Sequence, residues 1–156
     1  MPIWFTRPTL QNLNARSSGT MVQHIGIEFL EVGDDFIKAR MPVNARTIQP
    51  AGILHGGASV ALAETLGSVA GNLCVDSRQK LCVGLEINAN HIRSVSSGFV
   101  YGQAQPIHLG SSTQLWDIRI HDEQDRLVCI SRLTLAVLDR REAGLPGDYG
   151  VRDGLP

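Results

Sequence analysis

Long apolar runs are missing from this chain: no eighteen consecutive residues are greasy enough to cross a bilayer. The start, Met1-Pro2-Ile3-Trp4-Phe5-Thr6-Arg7-Pro8, has no apolar core behind a basic region and no cleavage-like site. A soluble cytoplasmic protein with no membrane partner is expected. An excess of charge of one sign is missing too, because 14 Lys plus Arg face 15 Asp plus Glu for a net charge of -1. That balance excludes the basic field of a general nucleic-acid binder. Lysine is scarce, only Lys38 and Lys80 against twelve Arg, and Arg is the better fork for phosphate or carboxylate. The three cysteines, Cys74, Cys82 and Cys129, are odd in number and form no C-x-x-C pair, which argues against a disulfide framework or a zinc ribbon. Neither a G-x-S-x-G elbow nor a P-loop is present. His24, His91, His108 and His121 share no ligand spacing with one another or with Glu64, so no metal site is expected.

What is there is one carboxylate in an unusual place. Glu64 is the only formally charged residue between Gly56 and Gly71, in a stretch otherwise small or apolar. The stretch is too long for a typical strand and reads as a helix buried on nearly all sides. At helical spacing the neighbours of Glu64 are Val60, Ala61, Gly67 and Ser68, none of them a cation. Burying an unpaired carboxylate costs several kcal/mol, which partners from elsewhere or a raised pKa must offset. Glu64 is therefore either an interfacial residue meeting a distant Arg or a catalytic group.

The chain has 156 residues, the length of one domain. Thr9 caps a short helix that the Ser17-Ser18-Gly19 cluster ends. Residues 25–32 and 36–41 flank Gly33-Asp34-Asp35 as a hairpin. Residues 43–55, with Pro50 and Gly52, form an irregular approach to a helix starting near Gly56 or Gly57. Four strands follow, over 81–95, 98–107, 113–120 and 126–137, the third with clean alternation. The fold class is α+β, an antiparallel sheet wrapped around a single central helix. Gly67 and Gly71 fit strands that press on the helix backbone. One domain is expected over 1–138, with a flexible tail over 139–156.

The residues before the helix place glycines and polar groups where unpaired N–H groups and the positive dipole end could hold an oxyanion. Spacing alone thus gives an oxyanion donor at Gly56, a carboxylate two turns on at Glu64 and a hydroxyl at Ser68. Taken alone, Gly56-Gly57 reads first as a tight turn before a helix, and His55 reads either as a satisfied loop histidine or as a site residue.

Four blocks in one order, Arg46 to Pro50, Leu54 to Ser68, Val83 to Arg93 and Pro106 to Gly110, resemble the hotdog-fold acyl-CoA thioesterases. Within them the chain is similar to the branch of 1,4-dihydroxy-2-naphthoyl-CoA hydrolase and the enterobactin proofreading thioesterase. The resemblance spans about Trp4 to Val137 and implies a hotdog fold, assembled as a dimer of dimers with active sites at the dimer interface. It implies Glu64 as nucleophile or general base, Gly56 as the N–H that polarises the thioester carbonyl, and Gln49 as a side chain that places it. His55 becomes a substrate contact and Ser68 the hydroxyl that orients water. Around coenzyme A it implies Gly84, His91, Ile92, Arg93 and Ser94, with the loop His108, Leu109, Gly110, Ser111, Ser112 and Thr113. Relatives often carry Arg-Pro where this chain has Arg93-Ser94, a departure on the nucleotide side.

The implied activity is hydrolysis of aromatic acyl-CoA to free acid and coenzyme A, without a cofactor, since coenzyme A belongs to the substrate. The alternatives are a proofreading thioesterase acting on acyl or aryl carrier protein and a non-catalytic acyl-CoA-binding hotdog protein. A hydratase using His55 with Glu64 fits the surrounding blocks less well.

Overall fold

A computed structural model describes residues 1–143. Two short helices, α1 (Leu10–Arg16) and α2 (Met21–His24), precede the hairpin of β1 (Glu28–Val32) and β2 (Ile37–Pro42). Then come α3 (Gly56–Leu73), β3 (Lys80–His91), β4 (Phe99–Leu109), β5 (Thr113–His121), β6 (Leu127–Asp139) and a final turn of helix, α4 (Arg140–Ala143). The six strands form one antiparallel sheet in the order β1-β2-β4-β5-β6-β3. The sheet packs on α3, the arrangement expected of a hotdog fold.

The period of each segment sets its face. Along β5, Gln114, Trp116, Ile118 and Ile120 are buried and Leu115, Asp117 and Arg119 look outward. The buried set joins Ile37, Met41, Leu133 and Leu135 under the helix. Each fully buried aliphatic side chain contributes about 1.5–3 kcal/mol. On α3, Ser59, Leu62, Ala63, Leu66, Gly67, Ala70 and Gly71 face the sheet. A Cβ on Gly67 would stand 2.5 Å from Leu133 Cδ2, so helix and strand meet at backbone distance there.

Expectation and structure part chiefly in four places, besides β1, which starts at Glu28 rather than at 25. The helix is not buried on nearly all sides: one layer of sheet covers half its circumference, leaving Ala61, Glu64, Thr65, Ser68 and Val69 half-buried. The strand expected to reach Val95 ends at His91, because the amides of Ile92 and Arg93 both turn onto the Val128 carbonyl. α2, a single turn, was not foreseen. The tail was placed from 139, but Asp139 closes β6 and Arg140–Ala143 is helical. The remainder of that tail, 144–156, lies outside the described residues.

Both edge strands are clasped by an asparagine. Asn14 of α1 donates to the Phe29 carbonyl at 3.1 Å and accepts from the Phe29 amide at 2.8 Å, on β1. Asn72 of α3 donates to the Cys82 carbonyl at 3.0 Å and accepts from the Cys82 amide at 2.9 Å, on β3. Each carboxamide thus pairs with one rung of an edge that a strand would otherwise pair. Between Gly84 and Glu86 the β3–β6 register shifts at a bulge, which leaves Leu85 61% exposed.

Candidate active site

The loop before α3 is a tight double-back. Ile48 bridges Leu54, the Gln49 amide donates to the Ile53 carbonyl at 2.9 Å, and the His55 amide donates to the Thr47 carbonyl at 2.8 Å. Buried Thr47 anchors it through its hydroxyl to the Pro42 carbonyl at 2.7 Å. Gln49 Oε1 accepts from the Ala51 amide at 2.6 Å, which directs its carboxamide nitrogen away from that turn. His55 is the N-cap of α3, its Nδ1 accepting from the Gly57 amide at 2.8 Å. A neutral His55 in this role carries its ring proton on Nε2, a free donor. The loop-histidine reading is met in this cap, which leaves Nε2 for another partner. The Gly56 amide, first of the helix, has no acceptor among the described residues. His91 lies over it: a Cβ on Gly56 would come 2.9 Å from His91 Nε2.

Two turns on, Glu64 Oε1 accepts from Ser68 Oγ at 2.9 Å. The carboxylate rests on the Gly84 backbone, where a Cβ would come 2.8 Å from Oε1. Glu64 takes part in no ion pair among the described residues. Among the described residues, then, no arginine neutralises it. It retains lone pairs for a reacting group, held by a single hydroxyl.

The acid stands near an apolar cavity of about 460 Å³ between α1, α2 and α3, whose wall includes Ser68, Thr65 and Val69 beside Leu13, Phe29 and Leu73. Sequence reasoning missed it. Its only trace in the sequence was the i, i+4 row of Thr65 and Val69 with Ser68 and Asn72, on the helix face taken as fully buried. A larger cleft of about 600 Å³ lies on the outer face of the sheet, lined by Lys38, Asp117, Arg119 and Glu123, with none of the α3 residues.

The two groups of residues assigned to coenzyme A do not meet in one chain. His91 pairs with Cys129 of β6, and Ile92, Arg93 and Ser94 continue beyond it at the N-terminal end of α3. Thr113 pairs with Ala136, and its loop folds back through the Gly110 amide to the Thr113 carbonyl at 2.9 Å and the Val137 amide to the Ser112 carbonyl at 2.9 Å. Along β6 that places His91 and Thr113 about 23 Å apart. His108, Leu109, Ser111, Ser112 and Thr113 are all exposed. Gly84 lies between the two groups, on the carboxylate.

The cysteines are poor nucleophiles. Burial pushes the Cys82 thiol up to about 12, and burial together with nearby Cys82 pushes the Cys74 thiol up to about 12. Among the described residues, no three His, Cys, Asp or Glu side chains are grouped to hold a metal ion.

Comparison with known proteins fits this geometry. The thioesterase superfamily matches residues 51–129, the segment from the turn before α3 into β6. The chain is 57% identical over 136 residues to 1,4-dihydroxy-2-naphthoyl-CoA hydrolase of Escherichia coli, covering 87% of this chain and 99% of that one. It is 56% identical over 136 residues to the proofreading thioesterase EntH of Cronobacter turicensis, covering 87% and 98%. The crystal structure of a mutant thioesterase from Pseudomonas aeruginosa superposes with a TM-score of 0.87 at 49% identity, covering 88% of this chain and 99% of that one. In fold, in length and in the helix that carries Glu64, the chain belongs to the thioesterase superfamily and is a thioester hydrolase.

Proposed function

We propose that the protein hydrolyses acyl-CoA thioesters to a carboxylic acid and free coenzyme A, with Glu64 as the group that drives the reaction. The observation that carries this reading is the Glu64 carboxylate itself, without a cation, tied to Ser68 and seated on Gly84 near an apolar cavity. Glu64 attacks the carbonyl carbon directly, giving a mixed anhydride that water cleaves to the acid after the thiolate has left, or it removes a proton from a water that attacks instead. The C–S bond then breaks and coenzyme A leaves as thiolate. Thiolate is a good leaving group, so one carboxylate and one oxyanion donor suffice. The test is Glu64→Gln, which keeps the shape and removes the carboxylate. Its kcat should fall at least about 100-fold, roughly 2.7 kcal/mol in the barrier, and a fall below tenfold would end the assignment.

A second copy of the chain completes the site in this reading. Gly56 and Glu64 stand eight residues apart on one helix, about 12 Å along its axis, too far for both to serve one carbonyl. β3 is an edge strand, open beyond the Asn72 clasp. Antiparallel pairing of two β3 edges runs the two α3 helices in opposite directions, setting the Gly56 end of one toward the Glu64 turn of the other. Gly56, Gln49 and His55 then come from one copy, Glu64 and Ser68 from its partner. Pairing also gives the two separated coenzyme A segments a route to one ligand, and two such pairs form the tetramer. Three unbridged cysteines suit a cytoplasmic setting.

The acyl group in this reading is aromatic, lying against Phe29, Leu13, Val69 and Leu73. The Escherichia coli relative, named for a naphthoyl-CoA substrate, supports it. A carrier-protein thioester is the second reading, supported by the nearly equal identity to the proofreading thioesterase. Rates on benzoyl-CoA, naphthoyl-CoA and straight-chain acyl-CoA, against the same acyl groups on a carrier protein, separate the two.

A further inference from the structure

We propose that Asn72 is a positioning residue for the Glu64 carboxylate, an inference that rests on reading Glu64 as the catalytic group. Asn72 spends its whole carboxamide on two backbones. Its nitrogen donates to the Ser68 carbonyl at 2.9 Å and the Cys82 carbonyl at 3.0 Å, and its oxygen accepts from the Cys82 amide at 2.9 Å. The Cys82 thiol adds a contact at 3.4 Å to the Gly71 carbonyl. Among the described residues these are the hydrogen bonds that join α3 to β3, and all fall at one point of the strand.

That point is two residues from Gly84, the floor under Glu64. On the helix side the same clasp grips the carbonyl of Ser68, whose hydroxyl holds Glu64. Asn72 therefore fixes both walls of the gap in which the carboxylate lies. Within one chain β3 is an edge strand, and among the described residues helix and strand have no other hydrogen-bonded tie to set their spacing. Loss of that tie frees helix and strand to shift against each other, and a misplacement of about 1 Å can cost about 100-fold in rate. Asn72 need not touch the reacting atoms to govern them.

Steady-state kinetics of Asn72→Ala on an acyl-CoA that the wild type turns over test this. The expected result is a kcat lower by about 10–100-fold, because the acid is displaced; Asn72 also lines the 460 Å³ cavity, so KM is read separately from kcat. Added to Glu64→Gln, the same substitution should cost less than about twofold more, since no carboxylate remains to position. Ser131→Ala is the control: it removes a 2.8 Å hydrogen bond to the Asn88 carbonyl of the same strand, and should lower Tm with kcat unchanged. An Asn72→Ala enzyme that loses Tm but keeps kcat within about threefold, or loses equally on both backgrounds, overturns the positioning role. A Glu64→Gln enzyme with kcat within about tenfold of wild type overturns it by a different route, by removing its premise. Should Asn72→Ala be insoluble, Asn72→Asp keeps the acceptor for the Cys82 amide and is expected to show the same loss of kcat. Insolubility of both makes the clasp purely structural and the proposal fails.

Discussion

Ser68 Oγ donates to Glu64 Oε1 at 2.9 Å across one turn of α3, while the Gly84 backbone bars the same oxygen from the other side. The carboxylate is therefore confined between a donor and a floor. Removing the donor with Ser68→Ala should lower kcat about tenfold, the roughly 1.4 kcal/mol of one charge-assisted hydrogen bond, while Ser68→Thr keeps most of the rate. A Ser68→Ala enzyme at the wild-type rate would show that the hydroxyl is a helix ornament.

Gly84→Ala tests the floor. The atom its Cβ would meet is the far end of a flexible side chain, so Glu64 yields and the strand does not. Tm should stay within about 2 °C of wild type while kcat drops about 10–100-fold, a separation that a core defect would not produce.

The composite site is open to a mixing experiment. Gly56→Pro removes the first amide of α3 at the one helical position where proline is well tolerated. Each of Gly56→Pro and Glu64→Gln should be nearly dead alone. After subunit exchange of an equal mixture, half the pairs are mixed and one of their two sites is intact, which returns about a quarter of wild-type activity. A mixture that stays dead places Gly56 and Glu64 in one chain's site.

Thr65→Phe should fill part of the 460 Å³ cavity from the α3 side. KM for a naphthoyl-CoA is expected to rise at least about tenfold, with acetyl-CoA turnover little changed. Equal effects on both substrates would place the acyl group elsewhere.

Thiols pushed up to about 12 remain protonated at pH 8, where an ordinary cysteine is already partly thiolate. Iodoacetamide at pH 8 should leave activity intact, and mass spectrometry should find Cys74 and Cys82 unmodified. Reactivity toward these thiols should rise only as pH climbs toward about 12. Rapid labelling of Cys82 at pH 8 would mean that β3 detaches from α3 in solution.

The local chemistry of the chain was legible. Thr9 caps α1 through its hydroxyl to the Asn12 amide, α3 starts at Gly56, and β5 alternates as its sequence does. Long-range placement was not. That β3 lies at an edge follows from its pairing with β6, far along the chain from Lys80↔Asp139 to His91↔Cys129, and no local period encodes that. Hence the sequence did not show that His91 lies over Gly56, and the half of α3 facing away from the sheet read as core. The cavity beside Ser68 escaped for the same reason, since α1 and Phe29 of β1 reach it only through the fold.

The extra residue at Leu85 sets the phase of half a strand. Before it, Cys82 and Gly84 point toward α3; after it, Ile87 and Ala89 pack on the core and Glu86, Asn88 and Asn90 are exposed. An unbroken count of two from Gly84 would aim Glu86, Asn88 and Asn90 inward instead. Deleting Leu85 would remove the bulge yet leave those faces as they are, with Glu86 following Gly84 directly and Ile87 and Ala89 still inward; the strand turns inside out only if Leu85 stays and the pairing is made regular. The bulge lets one strand carry an extra residue and still serve both ends of the helix.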